Sequence, residues 1–306
     1  MNEEARPTVS RNEPRNARLG DIPGTRWKSI GKRVFANIGK RNLTLIAAGV
    51  AFYGMLAIFP ALTALISVYG LVANPHDVTR LLNSGVLPPA VAALLRGQAH
   101  SLLASGHSVL GIGVIIGFLV TLWSARQGAA AVIKALNVAY GRLAPRSLFR
   151  GVGLSFAVTT ASILFAVIAL LAVVVVPAIA ARLELGHAWN VGILALRWVV
   201  LVFLIACGLA ILYRFVPNRR CPSWRWVACG AAAATVLWLA GSALFSVYVG
   251  EFASYNRIYG TIGTVVVLLL WLFISALIVL LGAEFNAAIE HEAAQQTQRD
   301  PSPSLL

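Results

Sequence analysis

Charge is scarce in this sequence, and acidic charge is the scarcest. Charged residues make up 12% of the 306 residues, and only 11 are Asp or Glu, of which four lie in the first 21 positions. Metal-dependent hydrolysis needs Asp, Glu or His in clusters that hold cations and activate water. The five histidines are scattered along the chain. We therefore expect no metal site, no catalytic residues and no nuclease activity, while an enzyme acting on lipid stays open.

Two further absences narrow the range of functions. The three cysteines, Cys207, Cys221 and Cys229, show no CxxC spacing, so neither a disulfide framework nor a zinc site is indicated. No GxxxxGK[ST] motif occurs, so the chain does not hydrolyse ATP through a P-loop. We expect no cofactor.

Long apolar runs, by contrast, are abundant. Hydrophobic residues make up 58% of the chain, and residues 265–282 form a run of 18 without any charge. At about 1.5 Å per helical residue, such a run crosses most of a ~30 Å hydrocarbon core. The predicted fold is therefore all-α, a polytopic membrane protein built as a six-helix transmembrane bundle. The predicted spans are 43–72, 109–124, 151–181, 191–213, 226–249 and the run that includes 265–282.

The segments outside these spans are polar or amphipathic. Residues 1–25 and 293–306 are predicted to be disordered cytoplasmic tails around a membrane domain at 26–292. Within 27–41, Ile30, Val34 and Ile38 share one helical face, which predicts a helix lying on the anionic leaflet. Residues 74–106, between the first two spans, are predicted to contain an amphipathic extracytoplasmic helix.

The basic residues give the orientation. With a cytoplasmic N-terminus, twenty of the 25 Lys and Arg residues fall on the cytoplasmic side of the six predicted spans. The positive-inside rule then places both termini in the cytoplasm. This asymmetry accounts for the net charge of +14, so we expect no nucleic-acid partner. The expected partners are membrane lipids, with anionic headgroups at the basic segments, and a homo-oligomer is compatible with the sequence.

Five stretches in register resemble a known family. They are AAGVAFYGMLAIFPAL, SARQGAAAVIKALNVAYG, YRFVPN, YGTIG and LLGAEFNAAI. In this order and spacing they look like the YihY/BrkB family of bacterial inner-membrane proteins, across about residues 27–290. The resemblance implies a six-helix bundle in the cytoplasmic membrane, an older "ribonuclease BN" label, and a role in transport or envelope integrity.

Polar residues at the cytoplasmic ends of the spans form the first candidate site. A charge at the end of an apolar helix is costly unless it is paired, so Glu284 is expected to pair with Arg126 or Arg214. The cluster is either a structural clamp between helix ends or a gate at the inner mouth of a pathway. Its members are Arg126, Gln127, Arg214, Glu284 and Asn286.

A second candidate site precedes the last span. Tyr and Arg at this level are often headgroup anchors, but Arg257 could also bind an anionic lipid or substrate next to the helix N-terminus. This candidate clasp consists of Tyr255, Asn256, Arg257 and Tyr259. Pro60 and Pro177 are predicted to kink the first and third spans, as fixed kinks rather than hinges.

The sequence thus favours a transporter or lipid-handling permease for an amphipathic or anionic substrate. The alternative is a scaffold without transport activity that supports envelope integrity through its basic cytoplasmic segments. Ribonuclease ranks last of the three.

Overall fold

The computed structural model describes residues 24–72, 123, 126–142, 148–182, 187–219, 224–252 and 256–299. Every regular element among these residues is an α-helix. In chain order the helices are α1 (Gly24–Lys40), α2 (Leu43–Val72), α3 (126–139), α4 (Leu148–Arg182), α5 (His187–Phe215), α6 (Trp224–Phe252) and α7 (Asn256–Arg299).

The predicted all-helical membrane fold is confirmed. Among the described residues four helices, α4 to α7, are long and apolar enough to cross a membrane. A fifth span is counted if α1 and α2, which meet at 65°, are taken as one broken span. Three predicted segments fall outside the described part of the chain: the tail up to residue 23, the amphipathic helix at 74–106, and the span at 109–124 apart from Trp123.

A sharp corner joins α1 to α2. The N–H of Asn42 donates to the Gly39 carbonyl at 3.1 Å, and the Asn42 carbonyl accepts the N–H of Ile46 at 3.1 Å. Asn42 therefore ends one helix and begins the next. It does so with φ of 51°, a left-handed conformation that Asn tolerates better than most residues. The corner fixes the position of Arg41, whose side chain belongs to the candidate functional site.

The apolar face of α1 packs on protein rather than on a lipid leaflet. Ile30 is buried with Ala288 and Ile289 of α7, and Val34 packs against the same group. Ile38 packs against the main core. This face is therefore covered by protein, while the position of the helix on the anionic leaflet stays a prediction. This contact could not be predicted from residues 27–41 alone, because the apolar surface that covers them belongs to the continuation of α7.

That continuation lengthens α7 beyond the prediction. The helix runs to Arg299, whereas the sequence predicted a disordered tail from residue 293. Ala293 is fully buried against the group that holds Ile30, and Glu292 pairs with Arg26 of α1 at 3.1 Å. These contacts with α1 hold the added turns in place.

Buried side chains gather at one end of the bundle, which we call the packed end. It contains Leu43 at the start of α2, Leu136 near the end of α3, Tyr213 near the end of α5, Val227 at the start of α6, and Ala283 of α7, all fully buried. The described helices therefore run alternately away from the packed end and toward it, as consecutive membrane crossings do. α7 is central, because it packs against α1, α2 and α6.

Away from the packed end, many described apolar side chains face outward. Phe203 of α5, Leu244 of α6 and Val266 of α7 are all more than half exposed. In water a surface of this kind would be an aggregation liability, but in a bilayer such side chains contact acyl chains at little cost.

Very small residues allow α5, α6 and α7 to meet at the packed end. A Cβ placed on Gly282 would lie 2.5 Å from the Tyr213 hydroxyl and 2.6 Å from the Ala234 Cβ. Either contact is a steric overlap, so the position admits only glycine unless a helix moves.

We expect Gly282→Ala to lower stability by about 1–3 kcal/mol through overpacking, measured as thermal unfolding of the purified protein in detergent. Gly49→Ala is the matched control, since a Cβ there meets no atom within 4 Å and removing a helical glycine is neutral or mildly stabilising. Equal unfolding temperatures for the two variants would contradict the close packing at Gly282.

Candidate functional site

The functional candidate at the packed end is built around a buried carboxylate. The Glu284 side chain, 1% exposed, accepts a hydrogen bond at 2.9 Å from Arg41 Nη1 and another from the Asn37 amide. Asn37 lies in the last turn of α1 and Arg41 in the corner after it, so both donors come from the α1–α2 corner. Glu284 of α7 is thereby joined to α1 through Asn37, and through Arg41 to the corner that leads into α2.

Arg41 also closes the end of α3. Its guanidinium donates to the carbonyls of Val138, at 3.2 Å, and Ala139, two of the carbonyls that a helix C-terminus leaves without intrahelical partners. Gly141 makes room for this contact. It has φ of 65°, and a Cβ on it would lie 3.3 Å from Arg41 Nη2, so glycine serves both the left-handed cap and the close approach of the guanidinium.

Asn286, also fully buried, links α7 to α6 and to the turn after α3. Its Oδ1 accepts the Gly230 N–H at 2.8 Å, and its Nδ2 donates to the Tyr140 hydroxyl at 3.3 Å and to the Val227 carbonyl at 3.4 Å. Burial raises the pKa of Tyr140 well above its ordinary value, with the nearby Arg219 partly offsetting the shift. The hydroxyl is therefore neutral and available to accept the Asn286 bond.

The segment after α5 supplies the remaining contacts. The Tyr213 hydroxyl donates to the Val279 carbonyl at 2.7 Å, while Arg219 donates to the Tyr213 carbonyl at 3.1 Å and pairs with Glu290. The Arg219 guanidinium also lies 3.9 Å from the centre of the Tyr140 ring, within cation–π range. We call the whole set the polar cluster: Asn37, Arg41, Tyr140, Tyr213, Arg219, Glu284, Asn286 and Glu290.

Ion pairs and hydrogen bonds hold the polar cluster together. Among the described residues no three His, Cys, Asp or Glu side chains are grouped so as to hold a metal ion. Glu284, Glu290 and Glu292 of α7 each pair with an arginine from another part of the chain. A buried ion pair is weak grounds for stability but strongly destabilising when one partner is removed.

Comparison with known proteins identifies the family. The family model described as "Virulence factor BrkB" matches residues 34–304, which is most of the chain. This chain belongs to the BrkB family. The resemblance found in the sequence is thereby confirmed, and the chain is a membrane protein of the BrkB/UPF0761 group.

Two relatives of the BrkB-family chain extend over most of its length. A protein of Bacillus subtilis (strain 168) named as ribonuclease-like, YfkH, is 29% identical over 83% of this chain and 92% of its own length. A UPF0761 membrane protein of Azotobacter vinelandii is 25% identical over 92% of this chain, which spans 66% of that relative. A shorter match, 40% identical over 31% of each chain, is a UPF0761 membrane protein of Alteromonas mediterranea. No solved structure matches the chain.

Three of the five sequence stretches behind the resemblance contribute residues to the polar cluster, and a fourth packs in the core beside it. Ala47 of the first stretch is buried in the core. Tyr140 ends the second stretch, Tyr213 begins the third, and Glu284 and Asn286 lie in the last. The remaining stretch, YGTIG, begins at residue 259 in the first turns of α7, at the opposite end of that helix.

The structure changes the partner of Glu284 in this BrkB-family chain. We predicted Arg126 or Arg214, but the carboxylate pairs with Arg41. Arg214 instead lies over the ring of Trp224, 4.3 Å from its centre. Sequence reasoning missed Arg41 because it read 27–41 as a surface helix. The signal that could have identified Arg41 as the partner was the four-residue spacing of Asn37 and Arg41 next to a helix break.

Arg126 and Gln127 do not reach the packed end. Arg126 lies in α3, 13 residues before residue 139 at the packed end, which is about 20 Å at ~1.5 Å per residue. A Cβ on Gly128 would lie 3.7 Å from the Tyr53 carbonyl oxygen, which places this turn beside the middle of α2. The prediction that Arg126 and Gln127 share a depth with Glu284 is therefore wrong. α3 belongs inside the membrane bundle rather than after it.

The second candidate site and the prolines stay predictions. Tyr255 lies outside the described residues, and Asn256, Arg257 and Tyr259 lie in the first turn of α7, far from the polar cluster. α2 and α4 continue through Pro60 and Pro177.

We expect Arg41→Met to destabilise the protein by about 3–5 kcal/mol, because it leaves the buried Glu284 carboxylate without its charge partner. Glu284→Gln keeps an acceptor for Asn37, and the double variant should lose less stability than the two single losses combined. Thermal unfolding of all four proteins measures this coupling.

The control cycle uses Arg26→Gln and Glu292→Gln. This pair, 3.1 Å apart, is partly exposed, so its coupling should be about 0–1 kcal/mol. Equal coupling in the two cycles would show that the Glu284–Arg41 pair is not the buried interaction described above.

A size exchange tests the contact between α6 and α7. A Cβ on Gly230 would overlap the Asn286 side chain, so Gly230→Ala should be strongly destabilising. Asn286→Ala removes the obstructing atoms, and the double variant should be more stable than the sum of the single effects predicts. Simple additivity in thermal unfolding would mean that these residues do not touch.

Proposed function

We propose that this chain is a transporter or lipid-handling permease of the bacterial cytoplasmic membrane, for an amphipathic or anionic substrate. In this proposal both termini and the packed end face the cytoplasm, and the polar cluster is the closed inner gate. The observation that carries the proposal is the buried Glu284 carboxylate, held by two side chains of a helix corner rather than by its own helix.

That these helices are joined by the Glu284–Arg41 ion pair, rather than by apolar side chains alone, is informative about function. Apolar side chains of similar volume would hold these helices together as well or better than a buried ion pair. A charged pair instead gives two arrangements, joined or parted and hydrated, which is the property of a switching element. Parting Glu284 from Arg41 would release three structures at once: the α1–α2 corner, the end of α3 and α7.

The surroundings of the polar cluster agree with a pathway through the bundle. Beyond the packed end, the described helices carry outward apolar side chains and few polar ones. Helices with so few polar side chains along their length suit an amphipathic or lipid-like molecule better than a small hydrated ion. The proposed orientation rests on the basic residues predicted on the cytoplasmic side, which still far outnumber those on the other side when Arg126, within α3, is set aside.

A scaffold without transport activity is the second candidate. Its support is the tight contact of α5, α6 and α7 at Gly230 and Gly282, where added methyl groups would overlap neighbouring atoms. Such an end favours rigidity over opening. Ribonuclease comes last: the name of the Bacillus subtilis relative is its basis, and the described residues offer no metal-binding group of His, Cys, Asp or Glu.

Flux through reconstituted vesicles distinguishes the first two candidates. Molecules retained by the purified protein are identified by mass spectrometry, and their movement across proteoliposomes is then measured for wild type, Glu284→Gln and the control Glu292→Gln. A gate predicts that Glu284→Gln changes the rate several-fold, either as a leak or as a loss of transport. Glu292→Gln, which alters the partly exposed pair on the same helix, should leave the rate unchanged.

Vesicles that move none of the retained molecules, for wild type and variants alike, would favour the scaffold. Thermal unfolding of each variant is measured in parallel, so that a change in rate is assigned to gating only where the protein remains folded.

A further inference from the structure

Arg126 is a charged residue of α3 that lies well away from the packed end, beside the middle of α2. It lies two residues before Gly128, whose turn contacts the Tyr53 region of α2. The next α2 residue, Gly54, is adjacent to Leu272, since a Cβ on that glycine would lie 3.9 Å from Leu272 Cδ1. Leu272 is near the middle of the uncharged run 265–282. Arg126 thus sits at half the height of the apolar core, where an arginine is rare and usually functional.

The immediate surroundings of Arg126 are those of a binding group. Its guanidinium carbon lies 4.8 Å from the centre of the Trp123 ring, and this ring is 59% exposed. The Nε atom is buried and has no hydrogen-bond partner among the described residues. A guanidinium resting on an aromatic ring keeps a planar edge of N–H donors, the geometry that binds phosphate or carboxylate in a bidentate way.

The chain has few carboxylates with which to neutralise this charge. Three of the eleven acidic residues, Glu284, Glu290 and Glu292, already pair with other arginines. The other eight lie outside the apolar runs, in the first 21 residues and at positions 77, 184, 251 and 300. An anion that is not part of the chain would therefore satisfy Arg126.

We propose that Arg126, with the ring of Trp123, binds the phosphate or carboxylate group of an amphipathic molecule that enters from the bilayer. The exposed face of the Trp123 ring contacts the apolar part of that molecule. The inference deepens the proposed function, because it names the substrate group and the residue that recognises it. It differs from the gate in position, about 20 Å from the packed end along α3.

The test is equilibrium binding to the full chain purified in a zwitterionic detergent. Phosphatidylglycerol is the anionic probe, phosphatidylcholine the zwitterionic control and inorganic phosphate the free anion, with bound lipid counted by native mass spectrometry. Wild type should prefer phosphatidylglycerol. Arg126→Gln should weaken its binding about tenfold, the loss of one charge-assisted contact, whereas Arg126→Lys should keep most of it.

Two further variants keep the test decisive. Trp123→Ala leaves the charge in place and should weaken phosphatidylglycerol binding, so the proposal stays testable if Arg126→Gln does not fold. Arg150→Gln removes one exposed charge from the first turn of α4 and should have no effect, which separates the site from general attraction of anionic lipid.

Unchanged phosphatidylglycerol binding in Arg126→Gln would overturn the proposal. The protein could instead bind inorganic phosphate but no phosphatidylglycerol, and do so only when Arg126 is present. That result would support an anion site but overturn the entry of the ligand from the bilayer. Because the assay measures binding without flux, its failure is distinguishable from failure of the gate experiment, and either result can be read without the other.

Discussion

The packed end depends on one physical constraint: the Glu284 carboxylate lies in an apolar setting and must have a charge partner there. Glu284 follows an uncharged run by two residues and is almost fully buried, so leaving its charge unpaired would cost several kcal/mol. Arg41 and Asn37 meet that need, and they can do so only because the chain breaks at Asn42 and turns by 65°. The direction of the first span and the position of α1 are thus coupled to one side chain of the last helix.

The same contact organises the rest of the packed end through close approach. Arg41 reaches the carbonyls at the end of α3 because Gly141 leaves space for its guanidinium. Asn286, two residues after Glu284, approaches the backbone of α6 at Gly230. Polar contacts without small residues would hold the helices further apart, and small residues without polar contacts would leave backbone and side-chain groups unsatisfied in a medium without water. The polar contacts and the small residues of the packed end therefore depend on each other.

Much of this fold could be predicted from the sequence, and the reason is physical. Long uncharged runs have few alternatives to spanning a membrane as helices, so α2, α4, α5 and α6 lie close to their predicted limits. Glu284 and Asn286 could be selected because polar groups beside such a run need an explanation. Their partners could not be selected, because pairing depends on which helices pack together, and neither the corner at Asn42 nor the contact of α1 with α7 leaves a periodic signal. The depth of Arg126 could not be predicted for a related reason: a charge after an apolar run is typical of the end of a span, but α3 continues for almost four further turns within the bundle.

Two arginines of this chain show how the shortage of acidic residues shapes what each can do. Arg41 has a carboxylate and two helix carbonyls as partners, so its charge is used within the protein. Arg126 has the ring of Trp123, which attracts a cation without neutralising it. With 25 basic and 11 acidic residues, and all three carboxylates of α7 engaged, internal pairing cannot serve every arginine. Water and lipid headgroups can solvate the exposed arginines. In the apolar interior of the bundle neither is at hand, and the anion proposed for Arg126 would supply a partner from outside its own chain.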